Sequence, residues 1–397
     1  MGADQRRHGG AGGDGFHVDR WVDALGGFIA RRRGLWIGLG NLETRLLADE
    51  LAETPITQPI YVSGLARSGT TKLLEVLAGH PDVVTHRYKD YPPIFTPYWW
   101  NRLLERTPQR TEAAVERTHK DGILVTPDSP EALEEVLWMA FFPDLHDPTA
   151  SNVLDEGTAN PAFEAFYRDH IRKLLRVRGR QRYLAKGNYN ITRLEYLLRL
   201  FPDARFVIPV RAPVWHVASL MKQHALFCEG EGRSPKALRH LQRVGHYEFG
   251  LDRRPINAGG DGGGVAAILD LWARGAEVEG WARYWSHVHG FIADRLDANL
   301  RLRDAALVVR YEDLCRSPRD VLRAVLEHCR LPGADDLVER AAAGVRFPSY
   351  YAPGFTPDEL DLIDRHTRAT AARFGYAGGG ADLDPPPDDR RPAVRAE

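Results

Sequence analysis

Three groups of residues in this 397-residue chain have types and spacings suited to handling a small, highly charged anion. The first is Gly64-Leu65-Ala66-Arg67-Ser68-Gly69-Thr70-Thr71, which follows Ile60-Tyr61-Val62. A glycine-containing turn that opens a helix directs successive backbone N–H groups and the positive helix end at an anion. Thr70 and Thr71 add hydroxyl donors, and Arg67 adds a cation within the loop. The spacing imitates G-x-x-x-x-G-K-[ST], but Thr70 stands where a nucleotide triphosphatase needs its lysine, which argues against an ATP or GTP site. The second group is Arg211, eight residues before Ser219. Arginine supplies a planar fork of donors and serine a short hydroxyl, so the two can converge on one phosphate. The third is Lys186 in Leu184-Ala185-Lys186-Gly187. A lysine directly after a strand sets a cation at that strand's carboxyl end.

The elements that must position these residues alternate between strand and helix. Ile60–Val62, Tyr183–Ala185, Arg205–Val210 and Ala306–Val309 are β-branched or aromatic runs. Helical patterns follow them over Thr71–Ala78, Thr192–Leu200, Val214–Ala225 and Arg319–Cys329. Pro213 suits the first position of its helix. Longer helical patterns cover Glu131–Ala140, Pro161–Arg176 and Ala266–Leu296. This alternation predicts a mostly parallel sheet with helices on both faces, a three-layer, P-loop-like α/β fold. Ligands of such sheets bind outside the strand carboxyl ends, where all three groups fall. A single domain is expected over residues 16–377. Disordered segments are expected at 1–15 and 378–397, and a glycine-rich surface loop at 253–264.

Composition narrows the function classes. With 53 basic against 54 acidic side chains the net charge is −1, which argues against a nucleic-acid binder. No apolar run is long enough for a transmembrane segment, and Met1–Asp19 has no apolar signal core. Cys228, Cys315 and Cys329 have no metal-ligand spacing and make no disulfide framework. These features read as a cytoplasmic protein, with oligomeric state left open. Only seven of the 53 cations are lysine, which singles out each one for inspection.

The segment YVSGLARSGTTKLLEVLAGHPDV resembles the 5′-phosphosulfate loop of sulfotransferases, in particular the bacterial group related to tyrosylprotein sulfotransferases. That resemblance implies the donor 3′-phosphoadenosine 5′-phosphosulfate (PAPS), the product adenosine 3′,5′-bisphosphate (PAP) and no metal. It assigns Arg67, Ser68, Gly69, Thr70 and Thr71 to the 5′-phosphosulfate, and Arg211 with Ser219 to the 3′-phosphate. Lys186 resembles the family lysine beside the sulfuryl group, although Gly187-Asn188 departs from the usual Lys-x-Pro. Val309-Arg310-Tyr311-Glu312-Asp313-Leu314 resembles another landmark of the family, whose tyrosine lies near the nucleotide. The resemblance implies transfer to a hydroxyl acceptor, a small molecule or glycan.

An attacking hydroxyl must lose a proton, so a general base is expected. By spacing after His80-Pro81-Asp82-Val83, Tyr88 occupies the slot of the family glutamate, and Asp90 is the nearest carboxylate. Asp90 is therefore the first candidate base; its other reading is a turn residue paired with Lys89. His86, His119, Glu134 and Glu135 stay open. Tyr91–Trp100 (YPPIFTPYWW) is too proline-rich for a helix and reads either as an acceptor wall or as core packing. Two other functions fit the same loops: a kinase-like phosphotransferase, and a protein that binds an adenosine bisphosphate without turnover.

Overall fold

The computed structural model describes residues 16–107, 113–259, 263–347 and 353–377. The expected disordered ends, 1–15 and 378–397, lie outside the described residues. The centre is a five-stranded, wholly parallel sheet built from β1 (Ile60–Val62), β2 (Val83–Val84), β5 (Arg182–Lys186), β6 (Arg205–Val210) and β7 (Ala306–Arg310). Their order is β2-β5-β1-β6-β7. Two short strands, β3 (Val115–Glu116) and β4 (Leu124–Val125), form a separate antiparallel hairpin.

Both sheet faces are buried, and the period-two alternation of side chains divides the core accordingly. Tyr61, Tyr183, Phe206 and Ile208 face one way, into a cluster with helices Pro161–Arg178, Pro213–Arg233 and Glu277–Ala298. Ile60, Val62, Leu184, Val207 and Val309 face the other way, onto Leu73 and Leu77 of helix Thr70–Ala78 and Leu322 and Val325 of helix Pro318–His328. The three-layer α/β fold expected from the sequence is the one observed.

The elements around the sheet differ from expectation in three places. Helix Pro161–Arg178 is capped by the Asn160 side chain, which accepts from Phe163 N at 3.1 Å. It runs two residues further than its periodicity, to the left-handed Gly179. The single long helix expected over 266–296 is two helices, Gly263–Ala273 and Glu277–Ala298, parted at Gly275 with φ 78°. The expected surface loop at 253–264 is largely internal: Pro255–Ala258 are buried, and Arg253 lies 3.9 Å from the Trp272 ring centroid and 2.7 Å from Glu277. Its composition signalled a loop, but a cation sandwiched by tryptophan and carboxylate ties it down; residues 260–262 lie outside the described set.

Candidate active site

β1 and β6 are neighbours, yet the chain leaves β1 toward the β2 edge and leaves β6 toward β7. Such a reversal opens a crevice at the carboxyl ends of the two strands. The loop Gly64–Gly69 occupies it and leads into helix Thr70–Ala78, whose first-turn N–H groups have no intrahelical acceptor. Two of its residues have left-handed backbone, Arg67 (φ 73°) and Gly69 (φ 104°). Glycine is required at 69 for a second reason: a Cβ there would lie 2.8 Å from Tyr311 Cδ2. The Ser68 hydroxyl is buried inside the loop with no hydrogen-bond partner among the described residues. A buried hydroxyl of this kind is a donor held ready for an incoming acceptor.

The cations and hydroxyls singled out in the sequence meet at this crevice. Arg67 Nε donates to Ser219 Oγ at 3.3 Å, and Arg211 Nη1 donates to the Arg67 carbonyl at 3.3 Å. Arg211 stacks on Tyr311, 4.8 Å from the ring centroid, and so Tyr311 touches both the arginine and Gly69. The turn that carries Arg211 is fixed by Glu312, which accepts from Ala212 N at 3.0 Å and from Tyr376 Oη at 2.7 Å. Below the loop, His216 receives Trp285 Nε1–H on Nδ1 at 3.1 Å. Its Nε2 therefore carries the proton and donates to the Ala66 carbonyl at 2.8 Å. Burial keeps His216 neutral, its pKa well below the ordinary histidine value.

Two further residues complete the electrostatics, and neither was singled out from sequence. The β3–β4 hairpin folds over the loop. Asp121, in its turn, accepts from Arg67 Nη1 at 2.8 Å and from Arg117 Nε at 2.9 Å and Nη2 at 2.5 Å. Arg117 also reaches Thr71 Oγ1 at 3.3 Å. Burial would raise the Asp121 pKa, but the two guanidinium groups hold its carboxyl well below the usual range. A carboxylate thus lies between the cations that an anionic ligand would use.

Lys186 ends β5 in register with Val62, two residues before Gly64. It lines a small cleft with Thr71, Tyr88, Arg117 and Glu131. Burial lowers its pKa, Glu131 and Glu248 oppose that, and Arg117 and Arg67 add to it. His119 shares this neighbourhood: burial, then Arg117, His246, Arg67 and Lys186, keep it well below the ordinary histidine pKa. Its Nε2 is 3.4 Å from His246 Nε2, and His246 Nδ1 is 3.4 Å from Glu248 Oε2.

Asp90 is not positioned as a base. Both its oxygens are bound by Arg178 Nη2, at 2.6 and 2.8 Å, and Arg87 N donates to Oδ2 at 2.8 Å. Burial alone would raise its pKa, but His86 and Arg178 hold it at about 2. Neither is it paired with Lys89, which binds Asp128 at 2.6 Å. His86 is buried against His170, Nε2 to Nε2 at 3.1 Å. Glu134 accepts from Tyr167 and Tyr183 at 2.5 and 2.6 Å inside the core, and Glu135 is locked to Arg193 and His146, each at 2.7 Å. His119, unlike Glu134 and Glu135, has Lys186 and Arg67 among its main electrostatic neighbours. The aromatic segment Tyr91–Trp100 packs rather than lines a pocket: Ile94 and Phe95 are core, and Pro97 opens helix Pro97–Arg106 from its first position. That proline starts a helix instead of preventing one.

A parallel sheet of this order, with a glycine-containing loop after its central strand and a second arginine after the neighbouring one, is a P-loop-like α/β scaffold. A Sulfotransferase family model matches residues 59–254, just under half of the chain and including the loop, Lys186, Arg211 and Ser219. Over that span the chain is similar to the sulfotransferase family. No curated protein matches it. Solved structures similar to it include sulfotransferase STF1 from Mycobacterium tuberculosis H37Rv (16% identity, 91% of this chain and 88% of that one, TM-score 0.46). Others are sulfotransferase STF9 from Mycobacterium avium (15% identity, 83% and 80%, TM-score 0.47) and a sulfotransferase from Alicyclobacillus acidocaldarius (15%, 80% and 94%, TM-score 0.40).

Proposed function

We propose that this protein is a sulfotransferase that moves a sulfuryl group from PAPS to the hydroxyl of a small-molecule or glycan acceptor by in-line transfer. The observation that carries the reading is the convergence of Arg67, Arg211, Ser219 and Tyr311 on the loop, beside the Lys186 ammonium. The buried, unpartnered Ser68 hydroxyl fits a sulfate or phosphate oxygen. PAPS supplies an activated sulfuryl group on a phosphate leaving group. The loop N–H groups, Ser68, Thr70 and Thr71 bind the 5′-phosphosulfate. Arg211 and Ser219 hold the 3′-phosphate, with Tyr311 backing the arginine. Arg67 touches Ser219 and so joins the two ends. Arg67 and Arg117 exchange the Asp121 carboxylate for the donor's charge.

In the transfer the acceptor oxygen bonds to sulfur as the bond from sulfur to the bridging oxygen breaks. Lys186 stabilises the charge left on the departing phosphate of PAP. His119, kept neutral at pH 7 by burial and the neighbouring Arg117, accepts the acceptor's proton. This role replaces that of Asp90. The test is transfer of labelled sulfate from PAPS to a panel of glycans and phenols, with calorimetric binding of PAP with and without Mg²⁺. Transfer with Mg²⁺-independent PAP binding is expected. A strict Mg²⁺ requirement would favour the kinase-like alternative, and tight PAP binding without transfer would favour a binding protein.

A further inference from the structure

Helices Arg20–Arg31 and Arg33–Leu46 present an apolar stripe that the site does not use. Trp21, Phe28, Leu35 and Leu42 recur every seven residues, and Leu46 follows one turn later. Their exposures are 53, 44, 53, 38 and 68%. Half of the large exposed hydrophobics found in the described residues therefore sit on this one pair of helices, where Val115, Leu124 and the others lie apart. The opposite face is anchored: Ile29 is core, and Lys173 of helix Pro161–Arg178 donates to the Gly40 carbonyl at 2.7 Å.

Charge decides what this face would meet. Between Arg20 and Leu46 the only acids are Asp23 and Glu43, and both are turned inward, onto Arg243 at 2.6 Å and Lys173 at 3.2 Å. Arg20, Arg31, Arg32 and Arg45 are exposed. The stripe is thus tryptophan, phenylalanine and leucine with exposed arginines along its length, and exposed acids only beyond its ends at Asp19 and Asp49, the composition of a helix that lies in a membrane interface with its arginines at anionic headgroups. A second copy fits poorly. A two-fold pairing of the stripe about its midpoint, parallel or antiparallel, sets Arg31 and Arg32 against their own copies. No helix of the described residues is long and apolar enough to cross a bilayer, so the contact is along the surface.

We propose that these two helices dock the protein on an anionic lipid surface through Trp21, Phe28, Leu35 and Leu42, with Arg20, Arg31, Arg32 and Arg45 pairing to headgroups. The experiment is co-sedimentation of the full chain with vesicles of phosphatidylcholine alone and of equal parts phosphatidylcholine and phosphatidylserine. Velocity sedimentation of the chain without lipid accompanies it. Binding should favour the phosphatidylserine vesicles and fall with added salt. It should drop about tenfold or more in Trp21→Ser/Phe28→Ser and in Arg31→Glu/Arg32→Glu, since each basic residue near the surface is worth about a fivefold change in partitioning. Thermal melts check that the variants are folded. If a variant does not fold, the lipid preference and salt dependence of the parent chain decide. No binding to either vesicle, or binding that ignores both salt and lipid charge, overturns the proposal. So does a self-associated chain that Trp21→Ser/Phe28→Ser makes monomeric and that never binds vesicles.

Discussion

Removing the Lys186 ammonium should lower kcat by about 10²–10³ while leaving PAP binding nearly intact, because its charge is needed only where negative charge develops. Lys186→Ala assayed by single-turnover sulfate transfer checks this. The Asp121 carboxylate makes an opposite prediction. It neutralises Arg67 and Arg117, so Asp121→Asn should tighten PAP binding by about tenfold, the low end for a single charge-assisted hydrogen bond gained. Calorimetry measures it, and weaker binding would mean that Asp121 orients Arg67 for the donor instead. His119 sets the pH dependence. Burial and three neighbouring cations depress its pKa, so it stays an unprotonated base below the ordinary histidine range, and kcat should fall only as pH drops through that lowered value. His119→Gln should lose about 10²–10⁴ in kcat together with that acidic limb. Lys186, Arg67, Arg211 and Ser219 were legible in the sequence because each sits at a fixed offset from a strand end. Asp121 was not, and His119 stood only as one of four open base candidates with nothing in the sequence to rank it. They lie on the segment around β3 and β4, and what they do depends on residues 54 and 127 positions away.

Among the elements, the loop and Tyr311 depend on each other. Gly69→Ala puts a methyl group 2.8 Å from the Tyr311 ring on a backbone with φ 104°. The expected result is a loss of about 1–2 kcal/mol of stability from the left-handed strain. PAP binding should weaken further, because Tyr311 also carries Arg211. Gly69→Ala combined with Tyr311→Ala should recover part of the binding but not the backbone strain, and a melt beside a titration separates the two. The strands after which ligands bind were readable as β-branched runs. The two-residue β2, the hairpin strands and the N-terminal helices were not. A two-residue strand has no periodicity to read, and Val115 and Leu124 are exposed, so their pairing shows no core face. The helix from Pro97 was misread because a proline at the first helical position looks, in sequence, like one that breaks a helix.

For the molecule as a whole, buried carboxylates fix the acid limit of stability. Glu135 and Asp90 are each held at about 2, Glu135 against its burial by Arg193 and His146 and Asp90 against its own by His86 and Arg178. A depressed carboxyl contributes stability above its unfolded pKa and loses it as pH falls toward the folded one. Each should contribute on the order of 2–3 kcal/mol at neutral pH, lost between about pH 5 and pH 2. An acid titration followed by circular dichroism should show a cooperative unfolding in that window. Arg193→Met should move it to higher pH.

The strand order carries one more consequence, for where the chain can be cut. β7 is drawn from residues beyond 300 and pairs with β6 over five residues, from Phe206↔Ala306 to Val210↔Arg310. A polypeptide ending near Arg254 would hold the loop, Lys186, Arg211 and Ser219, and still lack Tyr311, Glu312 and the strand that shields β6. It would present β6 as a bare apolar edge, open to pairing with other chains. Proteolysis between Gly275 and β7 is therefore expected to yield aggregates in place of a smaller working enzyme.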